Sequence, residues 1–313
     1  MNATELLTLA KYQERSYEEQ PNRLGWIDYG DDNLFPQYLV DLYHSSAPHN
    51  ARRNSLSYLT LGDCLLSVYP EARLKIAEWE LDDEIRKACL DLKIQGGFAL
   101  EVQWSLDRSS VARVRHCPYE NIRATECDDK EVVRYYMYST DWENVRQNPP
   151  EQVCAFDPSK AVDHPTQILY VRPFSPGSFY YPKPDYLGAV TYVELQKEIS
   201  RYHINNIQAG LSPSFSIHFK NGTPPIEERQ RIRQDIEQQL AGTTNAGKFI
   251  ITFSDQPDRK PDFEPFPLSD ADKQYQFLSE ETTVKLMVGH RVTSPQLFGV
   301  AVPGKLGAGA ELD

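Results

Sequence analysis

The chain has 313 residues, 40% of them hydrophobic and 25% charged, the composition of a globular protein with at least one sizeable core, so disordered and fibrous classes drop out. Its net charge of -12, from 45 acidic and 33 basic residues, argues against a broad basic face that grips nucleic acid by replacing phosphate counterions, yet leaves room for an acidic channel through which DNA slides. No stretch approaches the roughly 18 apolar residues of a spanning helix, the start lacks a signal peptide's basic and apolar regions, and the five cysteines form neither a C-x-x-C pair nor metal-ligand spacing with a histidine.

The expectation is a cytoplasmic chain with reduced, packing thiols, no membrane segment, no metal and no cofactor. Along the chain, Pro36 stands in the first turn of a helix that carries Tyr38, Leu39, Leu42 and Tyr43 at helical spacing. Pro48 breaks it, and a second helix is expected from about Ala51 to Thr60. Leu81, Ile85, Ala88, Cys89 and Leu92 line one face of a third, over residues 80–95, which Gly96-Gly97 stops.

The period then changes from helical to alternating. Residues 98–104, 111–115, 132–138 and 168–172 are rich in β-branched and aromatic side chains separated by turn-formers, which predicts strands and a mixed α+β domain up to about residue 180. Pro173 to Asp185 holds four prolines among aromatics and reads as a stiff connector at a domain boundary.

From Gly188 to about Leu211 a thin stripe of Val193, Ile199, Tyr202, Ile207 and Leu211 predicts a long, largely wet helix of about 36 Å at 1.5 Å per residue. A β-α-β unit follows: strand Phe215–Phe219, turn Asn221-Gly222, cap Thr223-Pro224, a helix through Ile232, Ile236 and Leu240 stopped by Gly242, and strand Lys248–Phe253. Residues 255–268, with four prolines and many acids, read as another extended connector, after which Ser269-Asp270 cap a second long helix through Tyr275, Leu278, Thr282, Leu286 and Val292.

Several motifs invite chemistry, and each has a plainer explanation. Tyr29-Gly30-Asp31-Asp32 copies the metal-binding turn of RNA-directed polymerases, but that use needs a carboxylate from an upstream strand, and none of the preceding 28 residues reads as one. Gly299 to Lys305 approaches a phosphate-binding loop, yet Leu306 stands where Ser or Thr must hold magnesium, and a helix precedes the loop in place of a strand. His203, His218 and His290 fall on different elements with no nucleophile beside them. Tyr135, Tyr136, Tyr138, Phe179, Tyr180 and Tyr181 lack the basic cluster that base stacking on nucleic acid requires, and packing accounts for them. No catalytic residue and no metal ligand is assigned.

In the last 130 residues, Tyr186-Leu187-Gly188-Ala189 opens a long helix, Phe219-Lys220-Asn221-Gly222-Thr223-Pro224-Pro225 follows a strand, Gly242 to Lys248 precedes one, and His290 to Gly299 closes the series with Val292, Pro295, Leu297 and Gly299. In their order these motifs resemble the portal family of tailed bacteriophages, and the last resembles the family's valine, proline, leucine, glycine turn. In the first half, Gly96-Gly97-Phe98-Ala99 and Cys117 to Ile122 are similar to the family more loosely.

The resemblance implies a portal-like α+β fold: a mixed wing domain at 1–185, stem helices at 186–212 and 269–292 flanking a small β-α-β clip at 213–268, and a tunnel loop at 293–313 that begins a C-terminal part this sequence lacks. It further implies a homo-oligomeric ring, a dodecamer, at the capsid vertex of the virion, assembled in the host cytoplasm, through which double-stranded DNA is packaged and ejected. The implied partners are the terminase large subunit, a head-tail adaptor or neck protein and the major capsid protein. Val300, Ala301, Val302, Pro303, Gly304, Lys305, Leu306 and Gly307 would touch DNA, and Lys220, Asn221, Gly222, Arg229, Arg233, Asn245 and Lys248 would dock partners at the clip. Two alternatives stand beside this reading: a nucleotide-dependent enzyme built on the loop at Lys305, and a phage structural adaptor that is not the portal.

Overall fold

The computed structural model describes residues 15–208, 215–220, 225–228, 230–232, 234, 249–253, 259–264 and 271–292. The chain divides into two compact units, Met1–Val193 with Lys285–Asp313, and Glu194–Val284.

In the first unit, β1 (Glu19–Pro21) and β2 (Ile27–Tyr29) form an antiparallel pair ahead of α1 (Phe35–Ser45). Pro36 occupies the first turn of α1 as expected, and Phe35, Leu39 and Leu42 are buried. The next helix, α2 (Ala47–Leu61), starts earlier than the sequence reading placed it. Pro48 does not break a helix there. It sits in the first turn of α2, where its missing N–H costs nothing, and the break falls at the extended Ser46. A further helix, α3 (Pro70–Glu78), went unread, and α4 (Leu81–Gln95) ends at Gly96 in the left-handed conformation, φ +88°.

Six strands make the main sheet: β3 (Phe98–Trp104), β4 (Val111–Cys117), β5 (Ile122–Ala124), β6 (Tyr135–Tyr138), β7 (Glu151–Ala155) and β8 (Thr166–Val171). Their order is β4-β3-β8-β7-β6-β5, antiparallel except for the β7–β8 pair. Its edges are β4 and β5. Apolar side chains of α1 and α4, including Leu39, Leu42 and Ile94, share one buried core with Ala99, Ile122, Ala124, Tyr136 and Ile168 of the sheet.

Residues 173–185 contain no strand or helix, as four prolines dictate, but they do not leave the first unit. The Glu19 carboxylate accepts the N–H groups of Phe179, Tyr180 and Tyr181 at 2.9, 3.0 and 2.7 Å, and Tyr181 stacks on Tyr29 with ring centroids 4.4 Å apart. The division between units falls after Val193, inside α5 (Val190–Gln208). The last helix, α6 (Ala271–Gly289), re-enters the first unit at Lys285.

In the second unit, β9 (Phe215–Lys220) is the central strand of three. It pairs in parallel with β10 (Phe249–Phe253), as a β-α-β crossover requires, and residues 226–228 and 230–232 between them are helical. On its other side β9 pairs antiparallel with β11 (Arg259–Glu264). This corrects the reading of residues 255–268 as connector. Pro261 lies within the register shift between Arg259 and Asp262 on an edge strand, the place where a sheet tolerates proline.

Candidate functional site at the roots of the long helices

The inward face of α2 is polar: His49, Arg52, Arg53 and Ser57, at spacings of three, four and eight from His49, are all buried. Two stretches that bracket the long helices converge on it. Asp185 and Tyr186 stand just before α5, and His290 stands just after α6.

Arg53, wholly buried, ties these pieces together. Its Nη1 donates to Asp185 Oδ1 at 2.8 Å and to the Lys93 carbonyl of α4 at 3.0 Å, and its Nη2 donates to His290 Nδ1. The guanidinium lies 4.6 Å from the Tyr186 ring centroid, and the Tyr186 hydroxyl donates to the Ile94 carbonyl at 2.7 Å. Because His290 Nδ1 accepts from Arg53, its Nε2 carries the proton and donates to His49 Nδ1 at 3.0 Å. That leaves His49 Nε2 as the protonated nitrogen, buried and without a partner among the described residues.

Both imidazoles are neutral for one cause above others. Burial, then the charges of Arg53 and Arg52, pull His49 down to about 3, and the same burial and Arg53 depress His290 further. Such weak bases cannot abstract a proton near neutral pH. Arg52 differs from its neighbour in degree: Arg53 leaves only its Nε without a partner among the described residues, whereas Arg52 Nη1 reaches only the Pro48 carbonyl, at 3.3 Å, and its Nε and Nη2 have none. A paired guanidinium between two neutral imidazoles and the Tyr186 ring ties the backbone of α2, α4 and both helix roots together.

The two helix roots also touch each other directly. A methyl added to Gly289 would overlap the Cβ of Ala189, so the absence of a side chain there lets the last turn of α6 cross the turn before α5, beside buried Val190, Val193 and Leu286.

The motifs singled out in the sequence are placed as follows. Gly30 to Asn33 is a structural turn: the Asp32 carboxylate accepts Leu34 N–H at 3.0 Å and pairs with Arg15, and Asn33, at φ 59°, accepts Tyr29 N–H at 3.0 Å and Arg123 Nε at 2.6 Å. Two strands precede this turn, contrary to the sequence reading, but Glu19 on β1 is spent on the amides of residues 179–181, and Asp28 on β2 accepts from Asn22 Nδ2 and Trp26 Nε1. The fully buried Arg123 is satisfied entirely by neutral acceptors, Asn33 Oδ1 and O, Gln37 Oε1 and the Glu120 and Ile122 carbonyls, at 2.6–3.0 Å.

Tyr136 stacks on Tyr170 and Tyr181 on Tyr29, as packing aromatics. Cys89, Cys117 and Cys154 are buried, and Cys64 is exposed. His290 joins His49, a partner the sequence reading did not assign it. Among the described residues, no group of three or more His, Cys, Asp or Glu is placed to hold a metal, and no helix is long and apolar enough to cross a membrane. Lys220 ends β9, while Asn221, Gly222, Arg229, Arg233, Asn245, Lys248 and Val300 to Gly307 lie outside the described residues.

No protein-family profile matches the sequence, and no curated protein is similar to it. Solved structures do match. A chain from the virion of the native gene transfer agent particle aligns with a TM-score of 0.55 at 14% identity, over 88% of this chain and 73% of that one. A chain from the neck of the empty particle, computed with C6 symmetry, gives 0.55 at 12% identity, over 88% and 74%. One from the neck of the native particle, computed with C12 symmetry, gives 0.54 at 16%, over 86% and 71%. The α+β fold of this chain is thus the fold of chains found in a phage-like virion and its neck.

Proposed function

We propose that the chain is a portal subunit: a ring-forming protein of a phage-like virion through which double-stranded DNA enters and leaves the capsid. The observation that carries the proposal is the fold match over 86–88% of the chain to proteins of a gene transfer agent virion and neck, one of them in an assembly computed with C12 symmetry. Two features support it. In sequence order α5 is followed by a small three-stranded unit and then by α6, which is the order of stem, clip and stem. The turn before α5 and the end of α6, both in the first unit, are fastened there by Arg53, His290 and the Gly289–Ala189 crossing.

In this reading residues 1–185 are the wing, 186–212 and 269–292 the stem, 213–268 the clip and 293–313 the tunnel loop. The clip residues Lys220, Asn221, Gly222, Arg229, Arg233, Asn245 and Lys248 dock the terminase large subunit and later a neck protein. Lys305, the only charge between Gly299 and Glu311, meets phosphate weakly enough for DNA to slide. The protein supplies no driving chemistry, which comes from the motor it docks.

Particles assembled without this chain test the proposal. They are expected to stay empty of DNA. Particles that fill normally would make the protein an adaptor that is not the portal. With Lys305→Ala, DNA retention or packaging is expected to change while ring formation is kept.

A further inference from the structure

Two surfaces of the first unit are incomplete by themselves and complementary to each other. The first runs from the end of α2 to α3. Tyr58, Leu59, Leu66, Val68, Tyr69 and Leu74 are all exposed there, Leu66 by 89%, and α3 buries no residue at all. A helix of nine residues whose inner side, Ala72 and Ile76, is only half-buried is marginal in water, and apolar side chains gathered along one stretch mark a surface that something covers. This surface is acidic: between residues 63 and 80, Asp63, Glu71, Glu78 and Glu80 stand against Arg73 and Lys75, four charges against two.

The second surface is the hairpin of β3 and β4. β4 is an edge strand of the six-stranded sheet, and Leu106 at the hairpin tip is 97% exposed. Here the sign is reversed: over the hairpin, residues 98 to 117, Arg108, Arg113 and Arg115 stand against Glu101, which faces Arg115 across the strands, and Asp107, three against two, and the Asp107 carboxylate is occupied by Ser105 and Ser109 of its own turn. Arg113 and Arg115 are exposed on β4.

A cyclic assembly is built from heterologous contacts, in which one patch of each copy meets a different patch of the next. An apolar acidic patch and a net basic hairpin edge tipped by exposed Leu106 meet that requirement, whereas a two-fold dimer would set like charges against each other. We propose that the 58–78 surface of one copy seats against the β3–β4 hairpin of the next copy. This rests on the ring reading above and adds the faces by which copies meet.

Cys64, inside the acidic surface and exposed in the single chain, reports on the contact directly. In full-length protein, maleimide labelling of Cys64 is expected to slow at least tenfold in assembled rings relative to dissociated subunits. Arg113→Glu with Arg115→Glu is expected to lower the ring population at least tenfold at fixed concentration, with an unchanged thermal melt of the subunit. Asp63→Lys with Glu71→Lys should do the same, and combining all four substitutions should restore rings. Rings in which Cys64 labels at the free rate, and which persist through both charge reversals, would overturn this contact and leave the portal reading standing. Wild-type protein that stays monomeric at every concentration and in particles would overturn both.

Discussion

Replacing Arg53 by Met removes a side chain that binds α2, α4 and both helix roots at once. The Lys93 carbonyl and His290 Nδ1 lose their donor inside the protein, at about 1–2 kcal/mol each. The Asp185 side chain is 39% exposed, so water replaces its bond and the loss there is small. The guanidinium over Tyr186 adds about 1 kcal/mol, and relief of a buried charge returns part of the total. The net destabilisation is about 3 kcal/mol, roughly a 1 M drop in urea midpoint for a protein of this size. Arg52→Met, one residue away, should behave in the opposite sense. It forfeits a single long bond to Pro48 and frees a buried guanidinium that has two nitrogens without partners among the described residues, so stability should be unchanged or rise by about 1 kcal/mol. Urea unfolding of the two variants, followed by circular dichroism, makes the comparison. Equal losses in both would refute the assignment of the clasp to Arg53 alone.

Three further predictions follow from the same packing. Because His49 and His290 titrate far below their ordinary value when folded, the unfolded chain takes up more protons on acidification. Their stabilising effect is complete above about pH 6.5 and declines from there toward pH 3, by roughly 1 kcal/mol per pH unit for each ring. Subtracting the profile of a His49→Gln, His290→Gln variant isolates this slope from buried Asp91, whose raised pKa acts with the opposite sign. Gly289→Ala should cost about 2 kcal/mol by collision with Ala189, and adding Ala189→Gly should recover most of it in the same thermal melts. Arg123→Met should cost about 3–5 kcal/mol, since the Asn33 and Ile122 carbonyls and Gln37 Oε1 lose this donor while Asn33 Oδ1 keeps Tyr29 N–H and the Glu120 carbonyl keeps Gln37 Nε2, and Asn33→Ala should show a smaller loss that is not additive with it.

The elements that could be read from the sequence are those whose inward face is apolar. Helix α4 shows its stripe of Ile85, Ala88, Cys89 and Leu92 and its stop at Gly96, and strands β3 and β4 show their β-branched residues. Helix α2 hid its true start because its inward face is His49, Arg52, Arg53 and Ser57, and a hydrophobic period cannot detect a polar core. The pair of arginines three and four residues after a histidine was the only signal, and an exposed basic face would look the same. Strands β5 and β7 are short and exist through pairing with residues distant in sequence. The prolines misled in both directions: Pro48 starts a helix, and Pro261 rides on a bulged edge strand. The site at the helix roots was half legible, since the turn at His290 stood out but its partner His49, 241 residues away, is joined to it only by the fold.

Electron microscopy of the purified full-length chain, alone and in particles, bears most directly on the claim that it is a ring-forming conduit. The account predicts closed rings with a central hole of duplex width, joined subunit to subunit at the faces that carry Cys64 and Leu106. A protein that remains monomeric in concentrated solution and occupies no ring in particles would contradict it.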